Sequence, residues 1–198
     1  MLLLWAVLAG ILLGVINARL HKTSWRPPRL GWLWLVLLGF GLQFFAIYLP
    51  LTRGFFPDRL VGTLLVISQA ILLAFCLLNI RRPGMGLLTT GLALNLAVIV
   101  LNGGLMPLPV ETARALLPPP NFAQLEVGAP LGPGSKDILL PESSIRLPWL
   151  ADRFASPAVF DRLFVFSIGD VLVALGVSVL LAQIPKPEAS HQEINHAR

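Results

Sequence analysis

Apolar residues in this chain come in long runs instead of alternating with polar ones. Residues 1–18, 30–49, 60–80, 85–101 and 163–184 form five nearly unbroken apolar segments. A bilayer core about 30 Å thick takes roughly 20 helical residues to cross. The pattern predicts an all-α integral membrane protein with five transmembrane helices. The fourth is short and carries Thr89, Thr90 and Asn95. Residues 103–162 break the pattern. Pro118-Pro119-Pro120 and Gly132-Pro133-Gly134 stop regular elements, so a long irregular outer loop is expected there. Within it, Val110 to Leu117 reads as one short helix with Pro109 at its start. The apolar pieces Ile138 to Leu140 and Leu147 to Leu150 predict a loop folded against the membrane surface. Ser156-Pro157 reads as an N-cap and a first helical position, placing the start of the fifth helix near Pro157, outside the bilayer. Residues 185–198 are polar and read as a disordered cytoplasmic tail. No internal repeat is visible, and the chain reads as one membrane domain.

Composition strengthens this picture. Of 198 residues, 56% are hydrophobic and 13% charged, and mean hydropathy is +0.78. A soluble domain carries about twice that share of charge. The net charge of +5 does not point to nucleic acid, because Lys and Arg sit in short runs beside apolar segments. Arg19, Lys22, Arg26 and Arg29 follow the first segment, and Arg81 and Arg82 follow the third, in both cases without an acid. The loop after the second holds Arg53, Asp58 and Arg59, and the long loop has five basic and six acidic residues. The positive-inside rule then places the N-terminus outside and the C-terminus in the cytoplasm. Trp32 and Trp34 at one end of the second segment, and Tyr48, Phe55 and Phe56 near the other, fit headgroup-level aromatic belts. The first segment lacks a basic leader and an A-x-A site, which disfavours a cleaved signal peptide. The lone cysteine, Cys76, lies in an apolar run and reads as a small buried hydrophobe.

Asp170 is the one acid inside a predicted helix, about seven residues into the fifth. An intramembrane carboxylate is costly and faces protein or water. It reads either as a hydrogen-bonding anchor or as a proton or substrate site. Ser167, Ala174, Ser178 and Ala182 share its face, which is small and polar. Asn95 and Asn102 on the fourth helix are its candidate partners. Asn102-Gly103-Gly104 also reads as a helix C-cap. Asn17, Gln43, Gln69 and Asn79 are expected to bond between helices, with a hydrophilic pathway as the sharper alternative. Gly10 and Gly14, with Ala6 and Ala18, form a small stripe that marks a close helix contact, within the chain or across a dimer. His21, His191 and His196 all lie outside the predicted helices, so there is no intramembrane haem ligand. No G-x-S-x-G, H-E-x-x-H or intramembrane carboxylate pair occurs. Ser135-Lys136-Asp137 lies beside a Gly-Pro turn and reads as solvated. No catalytic residue, metal ligand or cofactor is expected.

Two stretches carry a resemblance. Asn102-Gly103-Gly104-Leu105-Met106-Pro107 stands where the fourth helix exits, and Phe166-Ser167-Ile168-Gly169-Asp170-Val171-Leu172 where the fifth enters. Between them run Lys136-Asp137-Ile138-Leu139-Leu140 and Leu150-Ala151-Asp152. This order resembles a family of small bacterial multi-pass membrane proteins known only as a domain of unknown function. The resemblance implies five helices and no assigned activity. It adds the idea that Asn102, Gly103, Gly104, Ser167 and Asp170 form one polar cluster anchoring the outer loop.

The leading expectation is a non-enzymatic scaffold or accessory subunit acting through the outer loop. Its partners would be the lipid bilayer and a second membrane protein or a second copy of the chain. The alternative is a small transporter using Asp170 as a proton or cation site. A third reading, a lipid-modifying enzyme, needs a second acid or base near Asp170, such as Asp152 or Arg153.

Overall fold

The computed structural model describes residues 2–49, 56–116, 119–132, 135–155 and 165–183. Four apolar helices come first: α1 (Leu2–Leu20), α2 (Leu33–Gln43), α3 (Asp58–Leu78) and α4 (Met85–Leu101). Phe44–Tyr48 continues α2 as a wider π turn. Next come β1 (Met106–Pro109), α5 (Val110–Leu116), α6 (Pro119–Phe122), β2 (Asp137–Leu140), β3 (Phe154–Ala155) and β4 (Val165–Phe166). The last helix is α7 (Ile168–Leu181). Among the described residues, α1 and α3 are long and apolar enough to cross a membrane, and the apolar helices Leu33–Ile47, Met85–Leu101 and Ile168–Leu181 are shorter.

The first helix turns small residues inward and large apolar ones outward. On α1, Ala6, Gly10, Gly14 and Ala18 are buried, while Leu4, Trp5, Leu8 and Leu12 are each more than half exposed. The small stripe packs on α7. A Cβ added at Gly10 would lie 2.9 Å from Ser178 Cα. Ser178 Oγ donates to Ala6 O at 3.0 Å. The close contact read from the G-x-x-x-G is therefore made within the chain. α4 meets α7 the same way: a Cβ at Gly91 would stand 2.5 Å from Gly169 O, and one at Gly176 2.8 Å from Gly84 O. Missing side chains let the backbones touch, and van der Waals contact then holds helices whose outer faces are equally apolar.

Polar side chains pin the helix ends. Trp25 Nε1 donates to Leu181 O at 2.9 Å and Asn17 Nδ2 to Ala182 O at 3.2 Å, serving carbonyls that the end of α7 leaves without helical partners. Asn79 holds Gly31 from both sides, accepting from its N–H at 3.0 Å and donating to its carbonyl at 3.1 Å. Gln43 Nε2 and Gln69 Oε1 are buried without a hydrogen-bond partner among the described residues. Cys76 is buried and free, packed with Leu72, Phe75 and Met85.

The stretch after α4 is folded, where its Pro and Gly content predicts irregular chain. β1 and β2 pair in parallel, Met106 opposite Asp137. Beyond β2, Gly128 N donates to Leu139 O at 2.7 Å and Leu131 N to Asp137 O at 3.0 Å. On the other side of β1, Asp152 N donates to Pro107 O at 3.1 Å. β3 and β4 pair antiparallel. α5 starts directly after Pro109, where the sequence places a helix. This cap has its own small core of Leu108, Ala113 and Leu139. It also shares a core with the helices, in which Met106 and Leu150 meet Leu65, Val98 and Ile99.

The last helix starts later than its apolar run implies. The run reaches back to 163, but Val165–Phe166 is strand and the helix opens at Ile168. A capping box sets this start: Ser167 Oγ accepts from Asp170 N while Asp170 accepts from Ser167 N. Hydrophobicity marks where a helix is tolerated, and the cap marks where it begins. The helix start read at Ser156-Pro157 and the tail 185–198 lie outside the described residues.

Candidate functional site

Asp170 occupies the first turn of α7, not a position seven residues deep. Both oxygens of its carboxylate are engaged. Oδ1 accepts from Asn95 Nδ2 at 2.9 Å, and Oδ2 accepts from Ser167 N at 3.0 Å. Ser167 Oγ lies 2.9 Å from Asn95 Oδ1 and 3.1 Å from Asp170 Oδ2. A hydroxyl has one proton to give. Donating it to Asn95 satisfies every group, since Asp170 Oδ2 already has the Ser167 N–H. Ser167 and Asn95 are buried, so this triangle locks α4 to the start of α7. Gly169 makes room for it, because a Cβ there would run into Asn95 Oδ1.

A second ionic group faces the first from the cap. Lys136, just before β2, donates to Asp137 Oδ1 at 3.1 Å and to Asp152 Oδ2 at 2.9 Å. Ser135 Oγ donates to Asp137 Oδ2 at 3.0 Å. Asp152 has no exposed surface, and its Oδ1 has no hydrogen-bond partner among the described residues. Burial pushes the Asp152 carboxyl up to about 7, against the pull of Lys136 and with the push of Asp137 and Asp170. Burial by itself would lower the Lys136 ammonium, but the charges of Asp137, Asp152 and Asp170 outweigh it and hold the pKa well above the usual lysine value. One lysine among three carboxylates leaves two negative charges when all are ionised. The arrangement favours a proton on Asp152 more than an exposed aspartate would.

Beside this cluster, the cap opens a cleft of about 460 Å³. Leu108, Ala113, Leu116 and Leu125 are among its apolar lining residues, and Asn121, Gln124, Ser135 and Asp137 are its polar ones. Among the described residues, no group of His, Cys, Asp and Glu is arranged to hold a metal ion.

The structure brings together Asp170, Ser167 and Asn95 and separates them from the other residues read as one cluster. Asn102 Nδ2 donates to Val98 O and to Arg146 O at 2.7 and 2.9 Å, and its Oδ1 accepts from Arg146 N. Gly103 and Gly104, both at positive φ, end α4, with Gly104 N donating to Ile99 O at 2.8 Å in Schellman fashion. Gly104 also packs directly on Gly62. Arg153 pairs with Glu142 at 2.8 Å on the surface. The sequence reading sets Lys136 and Asp137 aside as solvated and names Asp152 only as the second acid that a lipid-modifying site would need; the structure joins all three. Ser135-Lys136-Asp137 reads as solvated because it follows Gly132-Pro133-Gly134, yet the Asp137 side chain is only 13% exposed. The available signal was the apolar run Ile138–Leu140 directly behind it, which carries the acid into a strand.

Comparison with known proteins adds a relative and a family. The chain is 28% identical over 156 residues to an uncharacterized protein of Thermotoga maritima, covering 79% of this chain and 82% of that one. No solved structure matches it. The model of a family of unknown function, DUF5317, matches residues 28–182, a span that takes in α2 to α7 and every residue of the ionic cluster. The chain therefore belongs to the DUF5317 family.

Proposed function

We propose that this is a five-helix membrane protein, with N-terminus outside and C-terminus in the cytoplasm, whose cap is its working part. In this reading it acts by binding, as an accessory or scaffold subunit, and not by catalysis. The observation that carries it is the union of cap and helices. Met106 and Leu150 share a core with α3 and α4, and the Lys136–Asp152 pair stands against the Asp170 end of α7. A surface built to be presented needs such rigid support. The spanning part rests on outward apolar side chains, Leu37 at 76% exposure and Leu12 at 61% among them, which water would penalise and lipid would not.

Asp170 is better read as an anchor than as a cation site, since its two oxygens tie the start of α7 to α4 through Asn95 and cap the helix through Ser167. Proton-linked transport gains support instead from Asp152, whose buried Oδ1 is unpartnered among the described residues. The lipid-modifying reading gains a second acid near Asp170 in Asp152, but the cluster offers it no activated nucleophile.

Two measurements test the proposal. A cysteine placed at exposed Ala123 should be labelled on intact cells by an impermeant reagent, and one at exposed His21 should not. The reverse pattern removes the orientation. Affinity purification from gently solubilised membranes should retrieve a defined partner that a Lys136→Ala, Asp152→Ala variant loses.

A further inference from the structure

We infer that the cleft in the cap binds a small amphiphilic cation, an ammonium group carried on an apolar body. The inference deepens the reading of the cap as a binding module by naming the ligand class. A cleft of about 460 Å³ lies within the range that small ligands occupy, and its lining combines apolar side chains with polar ones in similar measure, as an amphiphile requires. Asp137 is the charged residue of the described lining. A carboxylate has about four acceptor positions. Lys136 and Ser135 use one on each oxygen, which leaves both oxygens open to a further donor.

Charge decides the sign of the ligand. Lys136 is committed to Asp137 and Asp152 and has no free charge for an incoming anion. Even with Asp152 protonated, Asp137 and Asp170 outnumber it, and buried charge without a counter-charge is costly. An ammonium at Asp137 relieves that excess, whereas a carboxylate or phosphate adds to it. Asn121 and Gln124 also line the cleft, and an amide oxygen can accept from an ammonium N–H.

The test uses the purified full chain in non-ionic detergent and three probes of equal length: hexylammonium, hexanol and hexanoate. Titration calorimetry should show saturable one-to-one binding of hexylammonium, at least tenfold tighter than hexanol, and no binding of hexanoate. Asp137→Asn should bring hexylammonium down to the level of hexanol. Leu116→Trp, which adds bulk to the cleft lining at a residue outside the ionic cluster, should weaken hexylammonium and hexanol alike. The inference is overturned if hexanoate binds as well as hexylammonium, if Asp137→Asn leaves the affinity unchanged in a folded protein, or if no probe saturates. Binding to the purified chain is measured independently of topology and protein partners, so its failure is distinct from failure of the proposal above.

Discussion

Replacing Asp152 by Asn should flatten the pH dependence of this protein's stability. Asp152 is fully buried, with one oxygen on Lys136 and the other unpartnered among the described residues. Its carboxyl titrates near 7 in the folded protein, chiefly because burial disfavours the charge. In an unfolded chain an aspartate titrates near about 3.9. Between these values the folded state keeps a proton that the unfolded state has released. The stabilisation is thus complete below about pH 4 and is lost as pH rises towards about 7. Some three units at about 1.4 kcal/mol each give at most roughly 4 kcal/mol. The raised Lys136 acts in another window: its contribution is present throughout this range and is lost only above the ordinary lysine pKa. Asn keeps the shape of the protonated acid, can accept from Lys136 and cannot ionise. Thermal unfolding in non-ionic detergent, followed by tryptophan fluorescence from pH 4 to pH 8, reads the effect. Trp149, three residues before Asp152, is a local reporter. Wild type should lose up to roughly 8–16 °C in Tm across the window, and Asp152→Asn only a small fraction of that. A variant with the wild-type slope, or a wild type that gains stability with rising pH, would refute the reasoning.

Three further outcomes follow from the helix contacts. Asp170→Leu should cost about 1–3 kcal/mol in detergent melts, because it removes the acceptor for Ser167 N and Asn95 Nδ2, while Asp170→Asn should cost less. Gly169→Ala should destabilise by about 1–3 kcal/mol, since the new methyl meets Asn95 Oδ1, and Asn95→Ala in the same chain should recover part of the loss. Asn79→Ala should loosen the segment ahead of α2, seen as faster amide exchange at Gly31, whose N–H donates to Asn79 Oδ1.

The helices were legible because each is announced by its own residues. α4 occupies the apolar run 85–101 that marks it, and Gly103 ends it as a C-cap glycine should. Asn95 was legible as a partner of Asp170 because both are polar groups in apolar helices. The cap was not, because nothing local announces it. β1 is Met-Pro-Leu-Pro, whose prolines argue against a strand, and its partner β2 lies some 30 residues further on. Lys136 and Asp152 look like ordinary loop charges until the β1–β2 pairing and the bond from Asp152 N to Pro107 O bring them together. The depth of Asp170 was misjudged for a related reason: run length sees only hydrophobicity, while the helix start depends on one serine and one carboxylate three residues apart.

The pairing of α1 with α7 bears on how the chain is made. The small-residue face of the first helix is complementary to the last one, through Gly10 against Ser178 and Leu181. About 150 residues separate the end of α1 from the start of α7. At about 5–20 residues per second, the first helix waits roughly 7–30 s during synthesis before its mate exists. Throughout that interval its glycine face is unoccupied, as are the Asn17 and Trp25 donors that later close α7. α1 therefore completes its packing only once α7 has been made, and truncation between the two leaves its glycine face without that mate.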